Sequence, residues 1–221
     1  MKLLFEGIIK FLLGFILVGL LIFIPAGTIN YFNGLLFMGI LFIPMFIGGL
    51  ILFFTNKKLL ESRLNNKEKE STQKVVIGIS GLMFISGFVV AGLNYRFNWF
   101  LLPNIISIVA SIIFIIFYIL YAEVLKENTY LSRTVEVVDN QKVIDTGLYG
   151  IVRHPMYIVT IMMFLMIPLI LGDIFSLFIF LIYPILIIVR INNEEKVLEK
   201  ELKGYTEYKK KVKYRLIPFI Y

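Results

Sequence analysis

Between Phe11 and Asn56 the chain reads FLLGFILVGLLIFIPAGTINYFNGLLFMGILFIPMFIGGLILFFTN and carries no Asp, Glu, Lys or Arg. One membrane span needs only about 20 apolar residues, so this stretch is too long for a single helix. Pro25–Asn30 interrupts it with residues that favour a turn. The stretch therefore predicts a first span over Leu3–Ile24 and a second over Tyr31–Phe54.

The composition of the whole chain agrees with a membrane protein. Of its 221 residues, 59% are hydrophobic and 17% are charged, whereas soluble domains are about half apolar and about a quarter charged. There is no Cys, which excludes disulfides, thiolate metal sites and Cys nucleophiles. We expect an all-α integral membrane protein without a metal site.

Four more helices are predicted. Val75–Leu93 and Trp99–Tyr121 are long enough to span. Met156–Leu171 and Ile174–Val189 are runs of about 16 residues joined by Gly172-Asp173. At 1.5 Å per residue each run covers only about 24 Å, less than a hydrocarbon core of about 30 Å. They predict a short helical hairpin, bent by Pro168 and Pro184 and followed by a cytoplasmic amphipathic helix.

The predicted organisation is one compact unit, with a four-helix transmembrane region over residues 1–125 and a cofactor-binding and catalytic region over residues 126–221. The glycine pairs Gly14/Gly19 and Gly87/Gly92 predict close helix packing.

The positive charges predict the orientation. Of 22 Lys and Arg residues, 19 lie in Thr55–Lys74, in Ala122–Arg153 or after Val189. Lys2 and Lys10 near the N-terminus bring the number on this side to 21, and only Arg96 falls on the other side. This bias places both termini and any active site in the cytoplasm. The same charges flank apolar spans and are not interleaved with stacking aromatics, so the net charge of +7 does not indicate nucleic-acid binding.

The most informative polar segment is Thr134–Tyr157, TVEVVDNQKVIDTGLYGIVRHPMY. Its first part, Thr134–Ile144, alternates and is β-prone around Asp139-Asn140, which predicts an extended or hairpin element. Gly147 and Gly150 flank Tyr149 and permit close approach of the backbone to a ligand. The pair Arg153-His154 then precedes Pro155, a residue suited to the first turn of a helix.

A second polar cluster follows the hairpin. Arg190 and Glu194 are four residues apart and share a helical face, which by itself is equally consistent with an ion pair at the membrane edge. Because a hairpin returns the chain to the side it left, this cluster can lie beside Gly147–Tyr157. A charged pocket of Arg153, His154, Arg190 and Glu194 at the bilayer edge is therefore our hypothesis for a functional site.

Taken together, these motifs resemble the isoprenylcysteine carboxyl methyltransferase family, which is related to the phospholipid N-methyltransferases. The resemblance covers about Gln141–Ile220. It rests on G-x-Y-x-x-x-R-H-P-x-Y from Gly147, R-x-x-x-E-E from Arg190, and Y-x-x-Y from Tyr205 before a basic tail that ends in Pro. The family often has Gly at the position of Val159, and this departure puts the packing near the cofactor in doubt.

The resemblance implies a membrane methyltransferase that uses S-adenosyl-L-methionine on a lipophilic membrane-bound acceptor, with an isoprenylcysteine-like carboxylate as the leading choice. It implies catalytic roles for Arg190, which would orient the acceptor carboxylate, for Glu194 and for His154. The residues that it implies in cofactor binding are Gln141, Lys142, Val143, Ile144, Tyr149, His154, Pro155, Met156, Tyr157 and Glu194. The tail residues Tyr205 and Tyr208 match the family without an assigned role.

Three alternatives stay open at this stage. A phospholipid amine acceptor would require removal of a proton, for which His154 or Glu195 are the nearby candidates. A membrane NADPH-dependent sterol-type reductase has a similar C-terminal region, although the first cluster has few Arg and Lys residues for a phosphorylated dinucleotide. A non-enzymatic membrane protein is the third alternative, because four of the six predicted helices carry no distinguishing site.

Overall fold

The computed structural model describes residues 1–65 and 67–221. Asn66 belongs to the predicted loop Thr55–Lys74 and lies outside the described residues. The helices are α1 Lys2–Ala26, α2 Phe32–Thr55, α3 Lys57–Leu64, α4 Ser71–Phe97, α5 Asn104–Glu127, α6 Pro155–Ile170, α7 Ile174–Phe180, α8 Ile182–Glu201 and α9 Tyr205–Lys211. A short 3-10 turn, Gly147–Gly150, precedes α6.

The predicted all-α class is confirmed. Within the described residues, five segments are long and apolar enough to cross a membrane: α1, α2, α4, α5 and the continuous stretch Ile174–Glu201. The turn predicted between the first two spans also forms, because α1 ends at Ala26 and Gly27 adopts a left-handed φ of 71° as its cap. Many large apolar side chains on these helices face outward, such as Phe5, Leu13 and Ile24, as expected for a multi-pass protein surrounded by lipid.

The last two helices depart from the predicted hairpin. The first arm, α6, has 16 residues and is as short as expected. The second arm begins after the cap Asp173, whose carboxylate accepts from the amides of Phe175 and Ser176, and it runs through α7 and α8 to Glu201. The hydropathy pattern placed the end of this arm at Val189. The Arg, Glu and Lys residues that follow are good helix formers and carry the helix beyond its apolar part, in spite of Asn192 and Asn193.

The segment Thr134–Ile144 forms no β-ladder in the described structure. The predicted turn is present, with Asn140 at φ 61° and a hydrogen bond from the amide of Gln141 to the carbonyl of Val138. The segment pairs with the region after α3 instead: the amide of Val135 donates to the carboxylate of Glu68 at 3.1 Å. The alternation of apolar and polar residues therefore corresponds to an extended segment and not to a strand in a β-sheet.

Small residues allow the closest helix packing. A Cβ added to Gly92 on α4 would lie 2.5 Å from the carbonyl oxygen of Ile22 on α1, and one on Gly87 would lie 2.3 Å from the ring of Phe180. The predicted close packing is confirmed for the pair Gly87/Gly92. A Cβ on Gly14 or Gly19 would meet its neighbours at ordinary distances of 4.0 and 3.6 Å.

Candidate functional site

The Arg153-His154 motif lies between the 3-10 turn and α6, and the C-terminal tail pairs with its backbone. The amides of Arg153 and His154 donate to the carbonyls of Tyr214 and Arg215, each at 2.9 Å. Pro155 then takes the first position of α6, where its missing N–H costs nothing. The tail is thus built into the site, a pairing that the sequence did not indicate.

Glu127, the last residue of α5, fixes the turn before the motif. Its carboxylate accepts from the Thr146 hydroxyl at 3.0 Å and from the Leu148 amide at 3.2 Å. Gly147 has a φ of 49°, and a Cβ there would lie 2.1 Å from a Glu127 oxygen. Glu127 was not among the site residues predicted from the sequence. The available signal was an acidic residue at a helix C-terminus, where a negative charge is unfavourable without a partner.

Tyr157, Arg190 and Glu194 form the centre of the site. The Tyr157 hydroxyl donates to Glu194 and accepts from Nε of Arg190 at 2.8 Å. The guanidinium also lies 5.9 Å from the Tyr157 ring centroid and donates through Nη2 to the carbonyl of Arg133 at 2.7 Å. Arg190 and Glu194 are therefore on one helical face, as predicted, with the phenol bridging their charged groups.

Gln73, at the start of α4, holds α8 in register with this centre. Its side-chain amide donates to Asn193 at 2.7 Å and to the carbonyl of Arg190 at 3.2 Å. Gln73 is fully buried, and its amide oxygen has no hydrogen-bond partner among the described residues. It is a second positioning residue that sequence reasoning did not find.

His154 packs against the centre from the other side. It is 5% exposed, and its ring stacks on that of Tyr157, with 5.6 Å between centroids and 27° between planes. Nδ1 lies 4.0 Å from a Glu194 oxygen, and Nε2 lies 3.3 Å from a Glu195 oxygen. Of the four charged residues predicted to form a pocket, His154, Arg190 and Glu194 come together around Tyr157, whereas Arg153 pairs with Glu195.

Glu195 faces away from this centre and is enclosed by cations. It is 2% exposed, and its partners are Nε of Arg153 at 2.7 Å, Nη2 of Arg215 at 3.0 Å and Nζ of Lys209 at 3.7 Å, in addition to His154. A buried carboxylate with so many charged donors is strongly held as the anion. This surrounding makes Glu195 unsuitable as the proton acceptor that an amine substrate would need.

The segment 141–144, predicted to touch the cofactor, is only partly directed at the site. Val143 packs against the buried cluster of Leu202, Tyr205 and Tyr208, and Ile144 packs against the main core. The Gln141 side chain accepts from the amide of Val138 at 3.0 Å within its own turn. Lys142 is exposed.

The remaining predicted residues line the interior next to the motif. Tyr149 and Met156 are buried, and the carbonyl of Tyr149 accepts from the Tyr208 hydroxyl at 2.7 Å. Tyr205 is 4% exposed, and its hydroxyl has no hydrogen-bond partner among the described residues. Burial raises the pKa of Tyr205, and the charges of Glu195 and Glu194 raise it further.

These residues suit a ligand that combines a cation with polar groups. The half-buried Glu194 carboxylate can face a positive charge, and the unsatisfied Tyr205 hydroxyl is a donor of the kind that a bound polar group satisfies. S-adenosyl-L-methionine, with its sulfonium and polar substituents, fits this set. Among the described residues, no group of three His, Asp or Glu side chains lies close enough to hold a metal ion.

The central and C-terminal parts of the chain match a known family model. Residues 108–200 match the model of the isoprenylcysteine carboxyl methyltransferase (ICMT) family, which confirms the resemblance found in the motifs. The match begins within α5, earlier than the motifs suggested, and ends before the tail tyrosines. No curated protein matches the chain.

Proposed function

We propose that this membrane protein uses S-adenosyl-L-methionine to methylate the carboxylate of a lipophilic, isoprenylcysteine-like acceptor, because residues 108–200 match the model of the isoprenylcysteine carboxyl methyltransferase family. The observation that carries the proposal is the arrangement of Arg190, Tyr157 and Glu194. The Arg190 guanidinium and the Glu194 carboxylate lie on either side of the Tyr157 phenol, next to apolar helices.

Each of the three side chains has a distinct task in the proposal. Arg190 orients the acceptor carboxylate through its planar guanidinium. Glu194 faces the cofactor, which supplies an electrophilic methyl group on a sulfonium when bound. Tyr157 holds the side chains of Arg190 and Glu194 at a fixed separation, because it donates to Glu194 and accepts from Arg190. Positioning and exclusion of water then provide most of the acceleration.

The surroundings of the site favour a carboxylate over an amine acceptor. A carboxylate is ionised at neutral pH and needs no base, whereas a protonated amine must lose a proton first. Glu195 is occupied by Arg153, Arg215, Lys209 and His154. That leaves Nδ1 of His154 as the nearest candidate for proton transfer, and the carboxylate reaction does not need it.

We further propose that the site faces the cytoplasm. The 21 of 22 Lys and Arg residues that flank the spans on one side support this orientation through the positive-inside bias. A lipophilic acceptor would enter laterally between helices, and the cofactor would enter from the aqueous side.

Binding of S-adenosylhomocysteine to the purified protein tests the cofactor assignment. Titration calorimetry should show binding to the wild type and roughly 10- to 100-fold weaker binding to Glu194→Gln, because a charged hydrogen bond contributes about 1.5–3 kcal/mol. Glu199→Gln removes a more exposed carboxylate from the same helix and is the matched control. Unchanged affinity in Glu194→Gln, or stabilisation by NADPH in place of S-adenosylhomocysteine, would contradict the proposal.

The acceptor is tested by methyl transfer from radiolabelled cofactor to extracted membranes and to a farnesylcysteine analogue. A methyl ester releases its label as methanol in alkali, whereas an N-methyl group does not. Alkali-labile label on the prenylcysteine analogue is the expected result. Alkali-stable label on a phospholipid would overturn the assignment of a carboxylate acceptor.

A further inference from the structure

Glu195 is the most heavily paired side chain of the site, and its two carboxylate oxygens have different partners. Oε1 accepts from Nε of Arg153 at 2.7 Å and faces Nε2 of His154 at 3.3 Å. Oε2 accepts from Nε of Arg215 at 3.1 Å and lies 3.0 Å from Nη2 of the same guanidinium in an ion pair. One buried carboxylate therefore joins the Arg153-His154 motif to the C-terminal tail.

The chemistry of the contact decides which nitrogen of His154 carries a proton. An ionised carboxylate only accepts hydrogen bonds, so the nitrogen that faces it, Nε2, must be the donor. In the neutral imidazole the other nitrogen, Nδ1, is then unprotonated. Nδ1 is the nitrogen that lies 4.0 Å from Glu194, on the side of the Tyr157 ring.

We propose that Glu195 is a positioning residue that holds His154 as the Nε2–H tautomer and thereby turns Nδ1 toward Glu194 and the ligand. Its benefit to catalysis rests on the proposed function, whereas the tautomer itself does not. Arg153 helps to fix Glu195 in place. Its Nη1 is anchored to the tail, since it donates to the carbonyls of Val212 and Lys213 at 2.8 and 2.7 Å.

The C-terminal tail is part of the arrangement that holds His154. Because Arg215 and His154 share one carboxylate, and because the backbone of His154 pairs with that of Arg215, loss of the Glu195 charge removes an anchor of the tail and the constraint on the ring together. The two effects differ in kind. Displacement of the tail is a folding defect, whereas a change of tautomer only moves one hydrogen from one ring nitrogen to the other.

His154 is the only histidine of the 221 residues, so selective ¹⁵N-histidine labelling gives one imidazole to observe. Nitrogen NMR of the full-length protein in nanodiscs, at mildly alkaline pH and without cofactor, reports directly on the protonation of each ring nitrogen. The expected result is a protonated Nε2. An unprotonated Nε2 in the wild type would overturn the proposal without reference to any variant or to activity.

The Glu195→Gln variant tests whether Glu195 sets the tautomer of His154. A glutamine amide can donate to the ring, so the Nδ1–H form should appear. The variant should also bind S-adenosylhomocysteine more weakly, because a proton on Nδ1 would face Glu194 and compete with the ligand for its carboxylate, while Glu199→Gln retains the wild-type spectrum and affinity. A spectrum identical to that of the wild type in a folded Glu195→Gln protein would refute the role of Glu195.

The two proposals can fail separately. Binding of S-adenosylhomocysteine to the wild type decides the proposed function, and the ring signals decide the tautomer. A protonated Nε2 in a protein that does not bind S-adenosylhomocysteine would leave the positioning by Glu195 supported and remove the proposed function.

Discussion

Gly147→Ala should destabilise the protein by about 2–3 kcal/mol and disturb the site at its first turn. A non-glycine residue in the left-handed region costs about 1 kcal/mol, and Gly147 has a φ of 49°. The new Cβ would also lie 2.1 and 2.4 Å from the two carboxylate oxygens of Glu127, so this carboxylate must leave. Its hydrogen bonds to Thr146 and Leu148 are then lost, at about 1 kcal/mol each and less for the exposed threonine.

Gly204→Ala separates the two causes. Gly204 has a φ of 89°, but its nearest neighbour would lie at an ordinary 3.9 Å from the new Cβ, so this variant carries the backbone strain without the clash. Thermal unfolding in detergent should place Gly147→Ala several degrees below Gly204→Ala, and S-adenosylhomocysteine should bind more weakly to the first variant. Equal melting temperatures would refute the reasoning that Glu127 needs a glycine beneath it.

Three further outcomes follow from named contacts. Gly92→Ala should lower the melting temperature because its Cβ would lie 2.5 Å from a backbone carbonyl of α1, whereas Gly81→Ala meets no atom within 4 Å and should gain up to about 1 kcal/mol from helix propensity. Arg190→Lys should raise KM for the acceptor about tenfold in a steady-state assay, since an ammonium cannot replace the guanidinium fork. The pKa of Asp145 is lowered by its hydrogen bond and ion pair with Lys211. The small stabilisation from this pair is therefore present above the ordinary carboxyl range and lost as the pH falls through the lowered pKa. Melting temperatures measured against pH for Asp145→Asn should not show this loss of stability at acidic pH.

The helices of the membrane region were predictable because lipid imposes a simple rule. Every backbone polar group in the hydrocarbon core must be paired within its own helix, so an uncharged apolar run such as Phe11–Asn56 becomes helical. The end of α8 was not predictable in this way. Hydropathy detects where a helix leaves the apolar region, and Arg190–Glu201 continues the helix through residues that favour helix but not lipid.

The site was predictable where its chemistry depends on short spacing. Arg190 and Glu194 share a face because they are four residues apart, and Pro155 begins α6 because proline suits that position. Contacts between distant segments left no comparable signal. The carboxylate of Glu127 beneath Gly147 and the hydrogen bonds of Gln73 arise from tertiary packing, which no local pattern in one sequence records.

The adjacent carboxylates of Glu194 and Glu195 show why residue type alone could not assign roles. Successive residues on a helix point about 100° apart, so one side chain of the pair reaches Tyr157 while the other reaches Arg153 and the tail. Glu195 is surrounded by cations and is therefore held in a fixed ionic network. Glu194 is half-buried, and the neutral phenol of Tyr157 lies between its carboxylate and Arg190, so its negative charge is balanced less closely than that of Glu195. A sulfonium ligand would be drawn to the second environment and repelled by the cations of the first, so in the proposed function the direction of α8 at this point would determine which of two identical side chains faces the cofactor.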